Sequence, residues 1–173
     1  MNQIQTATAL LVIDVQQGLF TKSTPIYKAE TLLQNLNALV EHAHQAGVPV
    51  IYVQHESEKV LPKGSEGWLL HPSIKPREDE LIINKQHGSS FEQTSLGDEL
   101  HKLGVTHLVV CGLVTHGCVK AACQDALKLG YRVTLASDAH SNYAKDAVKH
   151  IDVWNDKLAK EGAEVIETEA IRF

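Results

Sequence analysis

Hydrophobic residues fall into two rhythms along this chain. Thr8-Ala9-Leu10-Leu11-Val12-Ile13-Asp14 is an unbroken apolar run closed by a carboxylate, the pattern of a central parallel strand covered on both faces. Ala29, Leu32, Leu33, Leu36, Leu39, Val40 and Ala43 then recur at helical spacing. Gly47 stops that helix before a second strand over Val48 to Val53. Leu81-Ile82-Ile83-Asn84-Lys85 predicts a third strand, Leu96, Leu100 and Leu103 a helix closed by Gly104, and His107 to Gly112 a fourth strand. The chain then turns into a helix with Val119, Ala122, Ala126 and Leu129 as its stripe and Gly130 as its stop. Tyr131 to Ala136 predicts a fifth strand finishing at Asp138. Ala147, Ile151, Trp154 and Leu158 mark the last helix before Gly162 and a closing strand near Glu164 to Glu167.

Six strands alternating with helices predict an α/β fold, a single-domain, doubly wound, mostly parallel sheet with helices on both faces and right-handed crossovers. At 173 residues the chain suits one domain, residues 1–173. Between the second and third strands, Glu56 to Asp79 is irregular, with Pro62, Gly64, Gly67, Pro72 and Pro76 among charged residues. Loops of this length are commonly lids or binding loops.

Composition narrows the partners. The formal charge is -5 with both signs interspersed and no basic stripe, so the expected partner is a small molecule, with no nucleic acid and no membrane. No apolar run approaches a bilayer span and no leader pattern opens the sequence, so a cytoplasmic protein is expected. Three cysteines without C-x-x-C spacing predict free thiols.

In doubly wound sheets ligands bind beyond the carboxyl ends of the strands, near the point where strand order reverses. Asp14, Lys85 and Cys118 each follow a different predicted strand at that edge. Cys118 sits where a strand turns into a helix, and unpaired N–H groups at a helix N-terminus favour thiolate over thiol. Singly, each has a bland reading: a buried structural thiol, a turn carboxylate, a solvated lysine. Their joint placement is what points to catalysis. Cys111 and Cys123 read as filler, and Asp138 as structural support.

Three ordered motifs carry a family resemblance. Leu-Val-Ile-Asp14-Val-Gln16-x-x-Leu-Phe20, Asn84-Lys85-x-x-x-Ser-Ser-Phe91-x-x-Thr94-x-Leu96 and Gly112-Leu-Val-Thr115-x-x-Cys118-Val119 together resemble the isochorismatase-like cysteine hydrolases, the superfamily that includes nicotinamidases and related amidases. The resemblance implies a Rossmann-like fold, Cys118 as nucleophile, Asp14 as general base and acid, and Lys85 as the cation orienting Asp14. It also implies a non-proline cis peptide at Leu113-Val114, with the N–H groups of Val114 and Cys118 as an oxyanion hole. Relatives are often dimers or tetramers, which implies a homo-oligomer. A true isochorismatase does not use this cysteine, so Cys118 argues against that activity.

Nicotinamidases resembling this chain carry an Asp-x-His pair after the second strand, and a later His, as metal ligands. Here Gln54 and Glu56 occupy the pair's places, leaving His55, Glu56 and His71 as the nearest set, a poor one for zinc. The expectation is therefore a metal-independent hydrolase without a cofactor, cleaving an amide-type C–N bond of a small molecule through a thioester on Cys118. Gln16, Phe20, Trp68, Phe91 and His116 are candidates for substrate contact, and the aromatic ones equally for ordinary packing. His87 and His140 are loop histidines near the same face, while His42, His44, His101, His107 and His150 read as solvated. A nicotinamidase with atypical ligands and a catalytically idle binding protein on the same fold are the rival readings.

Overall fold

A computed structural model describes residues 7–173; the first six positions of the expected domain lie outside the described residues. Its strands are β1 (Ala7–Ile13), β2 (Val50–His55), β3 (Leu81–Lys85), β4 (Val105–Leu113), β5 (Arg132–Ser141) and β6 (Glu164–Ile166). They form one sheet in the order β3-β2-β1-β4-β5-β6, and every neighbouring pair is parallel. The helices are α1 (Gln17–Phe20), α2 (Ala29–Gln45), α3 (Leu96–Lys102), α4 (Lys120–Lys128) and α5 (Ala147–Glu161).

Alternation along the strands divides the core into two layers. Leu11, Ile13, Ile51, Val53 and Val110 meet Leu96, Leu100, Ala122, Ala126 and Leu158 from α3, α4 and α5. Leu10, Val12, Tyr52, Val109 and Cys111 meet Leu32, Leu36, Leu39 and Ala43 of α2. Burying each such leucine contributes about 2 kcal/mol. The central strand β1 supplies both layers, which explains its unbroken apolar run.

Strand order reverses between β1 and β4, opening a crevice at the carboxyl edge of the sheet. Asp14 leaves β1 and Cys118 follows β4, so both flank this switch point. Lys85 ends β3, two strands from β1.

Several segments differ from the sequence reading, β4 among them, which runs over Val105–Leu113 and not only His107 to Gly112. β2 starts at Val50, after the left-handed Gly47 and after Pro49, which has no N–H to give a ladder. It also runs past Val53, because Gln54 and His55 still pair with Asn84 and Lys85. Backbone pairing, not side-chain polarity, sets its end. A register shift carries β5 beyond Asp138 to Ser141, and the Asp138 carboxylate accepts from the N–H and hydroxyl of Thr168. The stretch from 56 to 79 is pinned by bridges Ser57–Leu61 and Gln16–Leu70 and by buried Leu61 and Ile74. Among the described residues, no helix is long and apolar enough to cross a membrane.

Gly112 marks the closest approach of β4 to β1. Its φ is +120°, and a Cβ there would lie 2.1 Å from the Ile13 carbonyl oxygen. Gly112→Ala should lower stability by on the order of 3 kcal/mol or more in chemical denaturation. Gly104→Ala, at φ +66° with open space around it, should cost only about 1–2 kcal/mol.

Candidate active site

The three strand-end residues meet. Asp14 takes a left-handed backbone, φ 51°, a conformation that costs most residues more than it costs aspartate. Its N–H donates to the Val53 carbonyl at 2.9 Å, which ties the turn to β2. Lys85 reaches it from β3, across two strand spacings of about 4.8 Å each. The Lys85 side chain is fully buried, and its ammonium nitrogen lies 3.1 Å from Asp14 Oδ2 and 3.1 Å from Cys118 Sγ. Two further acceptors, His55 Nδ1 and the His87 carbonyl, are also 3.1 Å away.

Cys118 is carried by a wide turn, Thr115–Val119, that breaks helical geometry at Gly117 before α4 begins at Lys120. The Leu113–Val114 peptide before it is cis, as the sequence resemblance implies. The N–H groups of Gly117 and Val119, on either side of Cys118, both donate to the Val114 carbonyl. All three cysteines are free; Cys111 and Cys123 are buried, whereas Cys118 is partly exposed.

The electrostatics correct one expectation. A thiol at a helix N-terminus should ionise easily, yet burial, and then the neighbouring Asp14 carboxylate, push Cys118 up to about 12 against the pull of Lys85. Burial likewise raises the Asp14 carboxyl, with Lys85 and the Cys118 thiol opposing. One ammonium neutralises one anion, so the two acids share a single negative charge. Aspartate is ordinarily the stronger acid, so the resting sulfur is a thiol. Moving its proton to Asp14 leaves the charge of the buried cluster unchanged.

Comparison with known proteins places the chain in a family. The isochorismatase domain family matches residues 8–170. The chain belongs to the isochorismatase family. A streptothricin hydrolase from Streptomyces noursei is 36% identical over 142 residues, 81% of this chain and 56% of that protein. The chain thus spans little more than half of that relative. A maleamate amidohydrolase from Pseudomonas putida is 27% identical over 157 residues, 78% of this chain and 74% of the relative. A solved structure described as an isochorismatase family protein superposes with a TM-score of 0.88 at 28% identity, covering 93% of this chain and 98% of that one.

The other candidate residues of this isochorismatase-family chain are placed differently from Asp14, Lys85 and Cys118. Gln16 is buried, and its amide is fully engaged with backbone: it donates to the His55 and Trp68 carbonyls and accepts from the His55 N–H. Phe20 packs on His71, with ring centroids 4.6 Å apart, and Phe91 on Tyr131 at 5.9 Å. His116 stacks on His150 of α5 at 4.2 Å. Trp68 is held by its carbonyl, which also accepts from Gln54, while its indole Nε1 is buried without a hydrogen-bond partner among the described residues.

Metal ligation fails a direct test of fit. Gln54 bonds Trp68 and His71 pairs with Ser73, while Glu56 accepts from Gln86 through Oε1 and faces Lys63 at 3.9 Å through Oε2, which is buried without a hydrogen-bond partner among the described residues. Among the described residues, the one set of three donors within 4.8 Å of one another is Asp14, His55 and Cys118. The Lys85 ammonium is 3.1 Å from a donor atom of each. This chain's own cation stands where an ion would.

Two histidines read as loop or solvated prove to be buried and bonded. His107 lies between Thr8 and Thr134. His140 belongs to β5 and supports the Cys118 turn: Asn155 donates to the Ser137 carbonyl, so its Oδ1 accepts from His140 Nε2 at 2.8 Å. His140 Nδ1 then accepts from the Thr115 hydroxyl at 2.9 Å, and that hydroxyl accepts from Asn142. These partners suit the neutral imidazole with its proton on Nε2. Burial also lowers its pKa. The folded protein therefore resists a proton that the unfolded chain takes up below about pH 6.5. Stability from this group is complete above that pH and is lost as the pH falls through the lower folded value. His140→Gln should start about 1–2 kcal/mol less stable at pH 7.5 and decline less steeply toward pH 5, as read by urea denaturation across that range.

Proposed function

We propose that this chain is a cysteine hydrolase that cleaves an amide-type C–N bond of a small molecule through a thioester on Cys118. The observation that carries this reading is the Lys85 ammonium 3.1 Å from both Asp14 Oδ2 and Cys118 Sγ. The amidohydrolase among the relatives supports the bond type.

The mechanism follows from the shared charge. Substrate carbonyl carbon approaches the sulfur, Asp14 accepts the thiol proton, and the sulfur bonds to carbon. Charge moves from the Asp14–Cys118 pair to the carbonyl oxygen. The family resemblance supplies the N–H groups of Val114 and Cys118 as donors to it, a contribution of about 3 kcal/mol per donor in comparable sites. Asp14 returns its proton to the leaving nitrogen as the C–N bond breaks, releasing ammonia or an amine. Water then yields a proton to Asp14 and its oxygen to the thioester, and the proton goes back to sulfur as acid is released. Lys85 remains an ammonium throughout, holding Asp14 and the sulfur in register. No step calls on a metal, in keeping with the donor set above.

An ammonia-release screen over small primary amides tests the reading. A turned-over amide should lose essentially all activity in Cys118→Ala, with the melting temperature retained, and a slow substrate should leave an acyl mass on the Cys118 peptide. That activity should survive dialysis against a strong chelator. Wild-type turnover by Cys118→Ala, or activity lost to chelator and restored by one equivalent of zinc, would contradict the mechanism.

A further inference from the structure

Lys85 has three protons and four acceptors around it. Asp14 and Cys118 belong to the reaction, and the His87 acceptor is a backbone carbonyl. The remaining one, the His55 imidazole, has no part in the chemistry derived above. We propose that His55 is a positioning residue that, clamped by Gln16, holds the Lys85 ammonium between Asp14 and Cys118; this rests on the cysteine-hydrolase reading.

Register supplies the first argument. His55 and Lys85 are direct partners in the β2–β3 pair, and partnered residues of parallel strands project to the same face. Lys85 must pass over the end of β2 to reach β1, so His55 stands beside its path. A lysine side chain has four rotatable carbons and a compact, rotatable head. Contacts to Asp14 and Cys118 alone would leave that head free to lean toward either one. An acceptor on the β2 side fixes it.

The clamp supplies the second. Gln16 Oε1 accepts from the His55 N–H at 2.9 Å while Gln16 Nε2 donates to the His55 carbonyl at 2.9 Å and to the Trp68 carbonyl at 2.8 Å. Gln16 lies two residues beyond Asp14. Asp14, Gln16, His55 and Lys85 therefore close a ring that links the ends of three adjacent strands. The ring also excludes a different role for His55. Its Nδ1 lone pair is directed at an ammonium, so it is not free to take the thiol proton, and the proton of the neutral ring sits on Nε2.

The test compares acceptors at position 55. His55→Asn places a carbonyl oxygen close to the site of Nδ1, whereas His55→Phe keeps a planar ring without an acceptor. Carbamidomethylation of Cys118 at neutral pH, read peptide by peptide, should slow roughly tenfold in His55→Phe, the scale of one hydrogen bond to a charged group. His55→Asn should stay near the wild-type rate. On an amide found by the screen, kcat should fall in His55→Phe with KM little changed. Gln16→Met keeps the imidazole but removes the clamp, so it should slow labelling partially, and it reads the same ring if His55→Phe does not fold. Wild-type labelling in His55→Phe or Gln16→Met, or a His55→Asn protein as impaired as His55→Phe, would overturn the inference. Should wild-type Cys118 label no faster than buried Cys111 and Cys123, the cysteine-hydrolase reading fails instead.

Discussion

A fully buried ammonium is the constraint on which this site depends. Taking a lysine head out of water costs several kcal/mol unless charge and hydrogen bonds replace the solvent. Around Lys85 that replacement comes from a carboxylate, a sulfur, an imidazole and a backbone carbonyl, all at 3.1 Å. The same contacts that make the burial tolerable bring a carboxyl, a thiol and an ammonium into one cluster. Removing Asp14 or Lys85 alone would leave its partner buried and less well compensated, so the cluster is conditional on both.

The sheet makes the meeting possible. Parallel strands ending at one edge present Asp14, His55 and Lys85 side by side, and the reversal of order between β1 and β4 brings the Cys118 turn against them. Two local backbone features sharpen the geometry. Gly112 lets β4 pass within a distance of Ile13 that no side chain would permit, and Asp14 adopts a left-handed conformation as it leaves β1. Behind the Cys118 turn, the Asn142–Thr115–His140–Asn155 chain gives a second anchor.

Much of this was legible in the residues themselves. Apolar runs ending at Asp14 and Lys85, and a strand turning into a helix around Cys118, locate the carboxyl edge and three of its groups, because period and termination are local properties. The Lys85 contact with His55 was not legible, since β2 was expected to stop at Val53. Extending that strand by two polar residues would have put His55 level with Lys85, but strand ends depend on a partner's backbone. Gln16 reads as a substrate contact because a polar side chain two residues beyond a strand-end aspartate has the same signature whether it faces a ligand or clamps a loop. Nor could the thiol's raised pKa be read: helix position argues for thiolate, and only the depth of the site and the nearness of Asp14 reverse it.

Asp14, Lys85 and Cys118 form one coupled electrostatic unit with a single negative charge. The most direct measurement is the pH dependence of Cys118 carbamidomethylation in the wild type, Asp14→Asn and Lys85→Met. The shifts should be of opposite sign: removing the carboxylate lowers the pH at which Cys118 becomes reactive, and removing the ammonium raises it. Shifts in the same direction, or midpoints unchanged from the wild type, would contradict it.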